Sequence, residues 1–155
     1  EIPNSVTSIG DGVFSGCTGL EKIDLTGVTS IGQGCFSYCS NLSEVTLSGD
    51  LKTIGKEAFF KCGKLAEITI PEGVESINIS AFEECTLLKE INIPASVKQI
   101  GTGAFIEDSL EKITVDENNF LPLLLTTLDW YGLYNTVIIV IVFVVNKIVL
   151  CCPQA

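Results

Sequence analysis

Arginine, histidine and methionine are absent from this 155-residue chain, and tryptophan occurs once. Each absence excludes something. Without Arg there is no bidentate clamp for phosphate or carboxylate. Without His there is neither the usual general base near neutral pH nor an imidazole metal ligand. Nine cations, all Lys, face 19 acids, for a net charge of −10. A surface so anionic is repelled by nucleic acid and by anionic lipid. With no initiator Met and a start at Glu1-Ile2-Pro3, the chain reads as a fragment or a processed product. Charge is also unevenly spread: residues 120–155 hold only Asp129 and Lys147, so the two parts are read separately.

What is present is a repeat. Phe14, Phe36, Phe59, Phe82 and Phe105 follow one another at steps of 22, 23, 23 and 23. Cys17, Cys39, Cys62 and Cys85 keep the same step, as do Leu20, Leu42, Leu65 and Leu88, with Leu110 next. Ile9, Ile31, Ile54, Ile77 and Ile100 form another column. Ile23/Leu25 recurs as Val45/Leu47, Ile68/Ile70, Ile91/Ile93 and Ile113/Val115. Five repeats in phase mark a solenoid.

Each unit reads I-P-x-x-V-x-x-I-G-x-x-A-F-x-x-C-x-x-L-x-x-I-x-I. Its end alternates with period two and is rich in β-branched residues, which predicts a short strand. The Ile-Gly step at Gly10, Gly32, Gly55 and Gly101 predicts a left-handed turn. Asn78 fills that place in the fourth unit and tolerates positive φ next best after Gly. The A-F-x-x-C segment is too short for a stable helix and predicts one helical or 3₁₀ turn. A unit of this size cannot bury its own apolar side. Stacked units can, with like residues in ladders about 4.8 Å apart. The Phe column then forms an aromatic spine, and the Leu and Ile columns fill the space beneath a parallel sheet.

The run Ile2-Pro3-Asn4-Ser5-Val6-Thr7-Ser8-Ile9-Gly10, then Val13-Phe14-Ser15-Gly16-Cys17, then Leu20-Glu21-Lys22-Ile23, resembles the BspA-like class of leucine-rich repeats. The resemblance covers residues 1–119. It implies an α/β solenoid: a leucine-rich repeat with a parallel β-sheet face and short helical or 3₁₀ turns. It also implies a cell-surface or extracellular protein used for adhesion, with no catalytic residues and no cofactor. Asp116-Glu117-Asn118-Asn119 resembles the acidic start of a segment that often interrupts such repeats, and beyond it the match stops.

Seven Cys invite a metal or a disulfide, but zinc needs close Cys pairs, and only Cys35-x₃-Cys39 comes near. Cys35 falls in a column with Ala58, Ala81 and Ala104. Side chains stacked in a parallel ladder point alike, not at one another, so the Cys column is expected to be buried free thiol. No metal site is expected, and no His exists to activate a catalytic Cys. Two Asn-x-Ser sequences, Asn41-Leu42-Ser43 and Asn78-Ile79-Ser80, are compatible with export.

The outward strand columns carry the candidate binding face. One runs Lys22, Glu44, Glu67, Glu90, Lys112. The next runs Asp24, Thr46, Thr69, Asn92, Thr114. Stacked Glu44, Glu67 and Glu90 form an acidic stripe that is either simply solvated or a patch for a cationic or Ca²⁺-bridged ligand. The first reading of function is a non-catalytic recognition or adhesion module binding protein or glycan through this face. The rival is an intracellular scaffold or inhibitor solenoid.

In the tail, Val137–Val145 is an unbroken apolar run, and 130–150 is long enough for a single-pass membrane anchor. Trp130, Tyr131 and Tyr134 would mark one interface and Lys147 the other. A further pair of strands packed on the end of the solenoid, or a disturbed segment, fits the residues too.

Overall fold

The structure is a computed structural model. It describes residues 2–3, 5–106 and 108–116, together with the strands 140–144 and 147–151. The chain winds through about five turns, or rungs, each centred on one Phe. Among the described residues the strands follow in order: β1 (Ser8–Ile9), β2 (Lys22–Leu25), β3 (Ser30–Ile31), β4 (Glu44–Leu47), β5 (Thr53–Ile54), β6 (Ser76–Ile77), β7 (Glu90–Ile93), β8 (Gln99–Ile100), β9 (Lys112–Asp116), β10 (Val140–Val144) and β11 (Lys147–Cys151). Like strands pair in parallel. β2 lies on β4 with Lys22 beside Glu44, and β7 on β9 with Glu90 beside Lys112. Short ladders join β1 to β3 and run β5–β6–β8. The expected strand of the third rung, around Ile68 and Ile70, keeps both residues buried but forms no strand ladder.

Burial follows the columns. Phe36, Phe59 and Phe82 are wholly enclosed, and Phe14 and Phe105 at the ends are half-buried. The five rings stack with centroids 5.3–5.6 Å apart and planes within 6°. That spacing exceeds the rung rise because parallel rings slide off centre to avoid face-on repulsion of their π-clouds. Leu42, Leu65 and Leu88 and the column Val28, Leu51, Val74, Val97 complete the core.

The helical turn predicted over A-F-x-x-C is not formed; among the described residues there is no helix. Isolated bonds do close between the N–H of Cys17 and the carbonyl of Phe14, and likewise in rungs two to four. The other N–H groups go elsewhere. Those of Gly12, Phe14 and Gly16 donate to Gln33, Cys35 and Ser37 of the next rung at 2.8–2.9 Å. The pattern continues from Gly34, Phe36 and Tyr38, from Glu57, Phe59 and Lys61, and from Ser80, Phe82 and Glu84. Positive φ explains it. The residues two before and two after Phe14, Phe36, Phe59 and Phe82 are left-handed, from Gly12 (62°) and Gly16 (72°) to Ser80 (55°) and Glu84 (61°). Placing left-handed residues among right-handed ones unrolls a helical turn, and its N–H groups aim sideways at a neighbour.

The left-handed positions therefore lie two residues beyond those predicted. Glycine at the Ile-Gly step serves close approach instead. A Cβ on Gly32 would fall 2.5 Å from the backbone N of Asp11, and one on Gly101 would fall 2.4 Å from that of Ile79. On Gly10, with no described rung before it, the nearest atom is a Val13 methyl at 3.7 Å.

Charges are paired between rungs as well: Lys22–Glu44 at 2.5 Å, Lys61–Glu84 at 3.0 Å, Lys98–Glu75 at 3.3 Å, Lys112–Glu90 at 3.1 Å, and Lys89–Glu111. At the far end β11 lies antiparallel on β9, with Lys147 opposite Asp116, and β10 pairs with β11. The candidate anchor at 130–150 lies outside the described residues at 130–139 and 145–146. Among the described residues no helix is long and apolar enough to cross a membrane.

Truncating the middle of the spine is expected to be severe. Phe59→Ala should cost about 3–5 kcal/mol in urea unfolding, and Phe14→Ala at the half-exposed end well under half of that. Equal costs would show that the stack is not the core. Gly101→Ala should cost about 1–3 kcal/mol by forcing two backbones apart, whereas Gly10→Ala should stay within about 0.5 kcal/mol.

Candidate ligand-binding face

The strands hold the candidate face by simple alternation. Ile23, Val45, Ile68, Ile91 and Ile113 turn toward the core, so the residues on either side turn away from it. Lys22, Asp24, Glu44, Thr46, Glu67, Thr69, Glu90 and Asn92 are exposed, and Lys112 and Thr114, on β9 between β7 and β11, are half-buried. All ten belong to the two outward columns of the strand face.

The acidic stripe is modified by its ends. Glu44 is bonded to Lys22, whose ammonium is held above its usual pKa by that hydrogen bond and charge. Glu90 is paired with Lys112. Only Glu67, at the centre, has no ion pair among the described residues. Like charges thus do not simply stack; a Lys at each end caps a run of three Glu. Beside it, the Asp24 carboxylate accepts from the hydroxyl of Thr26 and from its backbone N–H at 2.9 Å, which lowers its pKa. The face presents hydroxyls, one amide, and a small excess of negative charge.

The Cys column is not part of this face. Cys39, Cys62 and Cys85 are buried free thiols that donate to the carbonyls of Phe14, Phe36 and Phe59 at 3.0–3.2 Å. Burial pushes the Cys62 thiol up to about 12 and Cys35 to about 11, so neither is a nucleophile near neutral pH. Cys17 departs from expectation: it is exposed, because no described rung covers it. Among the described residues no group of three or more Cys, Asp or Glu is gathered to hold a metal.

Two features escaped the sequence reading. Asp108 occupies the Cys column in the fifth rung, three residues after Phe105. Its Oδ1 accepts the Cys85 backbone N–H at 2.7 Å, while Oδ2 is buried without a partner. A thiol in that column donates to a Phe carbonyl; a carboxylate cannot, and a carboxylic acid can. Burial, with Glu83 nearby, pushes its pKa up to about 8, against the bond from Cys85 that favours the charge. The step of 23 from Cys85 was the signal. The second is a surface cluster at the left-handed position after each Phe. There half-exposed Tyr38 meets Phe60 edge-on at 5.3 Å, and the Lys61 ammonium lies over both rings. That column reads Gly16, Tyr38, Lys61, Glu84, too mixed to stand out.

Residues 1–111 match the family model of the BspA type leucine rich repeat region, in six copies. The chain belongs to this family. Solved structures agree. A leucine rich repeat protein from T. pallidum is 34% identical, with a TM-score of 0.67 over 70% of this chain and 51% of that one. A leucine rich cell surface protein from Faecalibacterium prausnitzii is 34% identical, with a TM-score of 0.71 over 74% and 31%. A leucine-rich repeat protein from Bacteroides ovatus is 30% identical, with a TM-score of 0.63 over 72% and 35%. The chain thus spans about half or less of the length of these relatives. No curated protein matches it.

Asp108 yields a pH prediction. An acid whose folded pKa is raised holds its proton in the fold and loses it when unfolded. Its contribution to stability is therefore present at low pH and falls as pH rises from about 4 toward about 8. Asp108→Asn should flatten that part of the stability profile and be the steadier protein at pH 8. Wild type and variant with parallel profiles between pH 5 and 8 would refute the assignment.

Proposed function

We propose that this chain is a non-catalytic recognition module of a surface or extracellular protein, binding a protein or glycan ligand through the strand face. The observation that carries the reading is the division of labour within the strands. Their inward residues make the core, and their outward residues face away from it, exposed except for the half-buried Lys112 and Thr114. Residue choice there is free to serve a partner. Membership of the family supports an interaction role, and the F. prausnitzii relative, described as a cell surface protein, supports the location.

The chemistry of the face favours a ligand with positive charge, presented directly or through Ca²⁺, and with groups that hydrogen-bond Thr46, Thr69 and Asn92. Glu67 is the anchor because its charge is not already spent on a Lys. Glu44 and Glu90 exchange their Lys partners only at a cost, which makes the face selective for multivalent cations over single ones.

Calorimetry with a short oligolysine peptide, with and without Ca²⁺, tests this. Replacing Glu44, Glu67 and Glu90 by Gln should weaken binding about tenfold and flatten its salt dependence. Glu67→Gln alone should account for most of the loss. A charge-matched control on the turn side, Glu57, Glu83 and Glu84 to Gln, should leave affinity intact. Equal loss from both sets would mean that only net charge matters, and the face would be wrong.

A further inference from the structure

Rung-to-rung bonds along the short strands have one gap. The N–H groups of Thr29 and Gly32 donate to Thr7 and Ile9; those of Glu75 and Asn78 to Lys52 and Ile54; those of Lys98 and Gly101 to Glu75 and Ile77. The corresponding bonds from Lys52 and Gly55 to the carbonyls of Thr29 and Ile31 are missing among the described residues, and β3 and β5 do not pair. The sequence offers a cause. From Leu25 to Val28 is three residues, but from Leu47 to Leu51 is four. The added residue falls in Ser48-Gly49-Asp50, where buried Ser48 accepts the Asp50 N–H, directly before β5. The rung length changes from 22 to 23 at this point, and the edge ladder loses its bonds there.

Beside this break lies a crevice of about 420 Å³, with Thr29, Gln33, Lys52, Thr53, Lys56 and Asn78 on its walls. Its lining holds two Lys and no acid, in a chain with 19 acids. Lys52 makes no ion pair among the described residues, while Lys56 reaches its exposed neighbour Glu57 at 3.2 Å. Gly55 adds a backbone N–H without a partner in the neighbouring rung. Hydroxyl and amide groups both donate and accept, as the hydroxyls of a sugar require. Ammonium groups add attraction for an anion. The volume exceeds that of a simple carboxylate and falls within the range of small-ligand sites. Few apolar walls are offered to a hydrophobic ligand.

We propose that the crevice lined from β3 across β5 to Asn78 binds a small anionic saccharide, a pyranose bearing a carboxylate. The carboxylate lies between Lys52 and Lys56, and the ring hydroxyls meet Thr29, Gln33, Thr53 and Asn78. This site is separate from the strand face and stands or falls without it.

Titration of the ¹⁵N-labelled full chain with D-glucuronate, D-glucose and acetate in parallel tests the proposal. Glucuronate should shift the amide signals of Gln33, Thr53, Gly55 and Asn78 saturably. Glucose and acetate should each bind at least about tenfold more weakly, and 0.5 M salt should weaken glucuronate binding. Lys52→Gln with Lys56→Gln should reduce affinity about tenfold while keeping the dispersed spectrum of the fold. The triple Glu44, Glu67, Glu90 to Gln variant should bind glucuronate as the wild type does. Absence of saturable shifts, glucose or acetate binding as well as glucuronate, or an unaffected double Lys variant would each overturn the site.

Discussion

A repeat of 22 or 23 residues has only one place to hide its apolar side chains, which is against another copy of itself. That dependence on the neighbouring rung runs through the structure. Backbone N–H groups in the turns donate to the next rung, Phe rings lie on the next ring, thiols donate to the preceding rung, and most described ion pairs cross between rungs. No single rung satisfies its own hydrogen bonds, so stability accrues by nearest-neighbour terms, as in other linear repeats.

The same dependence explains why interior and end copies of one residue differ. Phe59 is sealed on both faces and Phe14 on one. Gly32 is pressed by the rung before it, whereas Gly10 has room. Cys39 is buried and hydrogen-bonded, whereas Cys17 is open to solvent. In the fifth rung Asp108 replaces the thiol, and one of its oxygens is buried with nothing to bond. A fault in rung length has a similarly local effect. One added residue before β5 leaves the Phe stack and the turn ladder unbroken, while the short-strand ladder parts there and the long-strand ladder is interrupted around Ile68 and Ile70 of the same rung.

Much of this was legible in the residues because a repeat reports its own packing. Period and column identity located the core Phe, Leu and Ile residues, the alternation of the strands and hence their exposed face. The turn chemistry was less legible. The Ile-Gly step reads equally as a left-handed turn or as a site of close contact, since Gly serves both. Left-handed residues at Tyr38, Glu57, Lys61, Ser80 and Glu84 carry no Gly to announce them. The bonds of the next rung compel them into that conformation. An acidic stripe was likewise visible as Glu44, Glu67 and Glu90, but the partners at its ends depend on which Lys reaches which rung.

What the sequence determined by itself is the period, and with it the family, the parallel stacking and the inward and outward columns, because identical units packed in register leave those columns no other arrangement. Tertiary structure alone decided how the turns direct their N–H groups, which carboxylates are neutralised, that Asp108 is buried, and where the short-strand ladder parts. Each of these depends on distances between residues 22 or more apart in the chain, and such distances are set only when one rung settles on another.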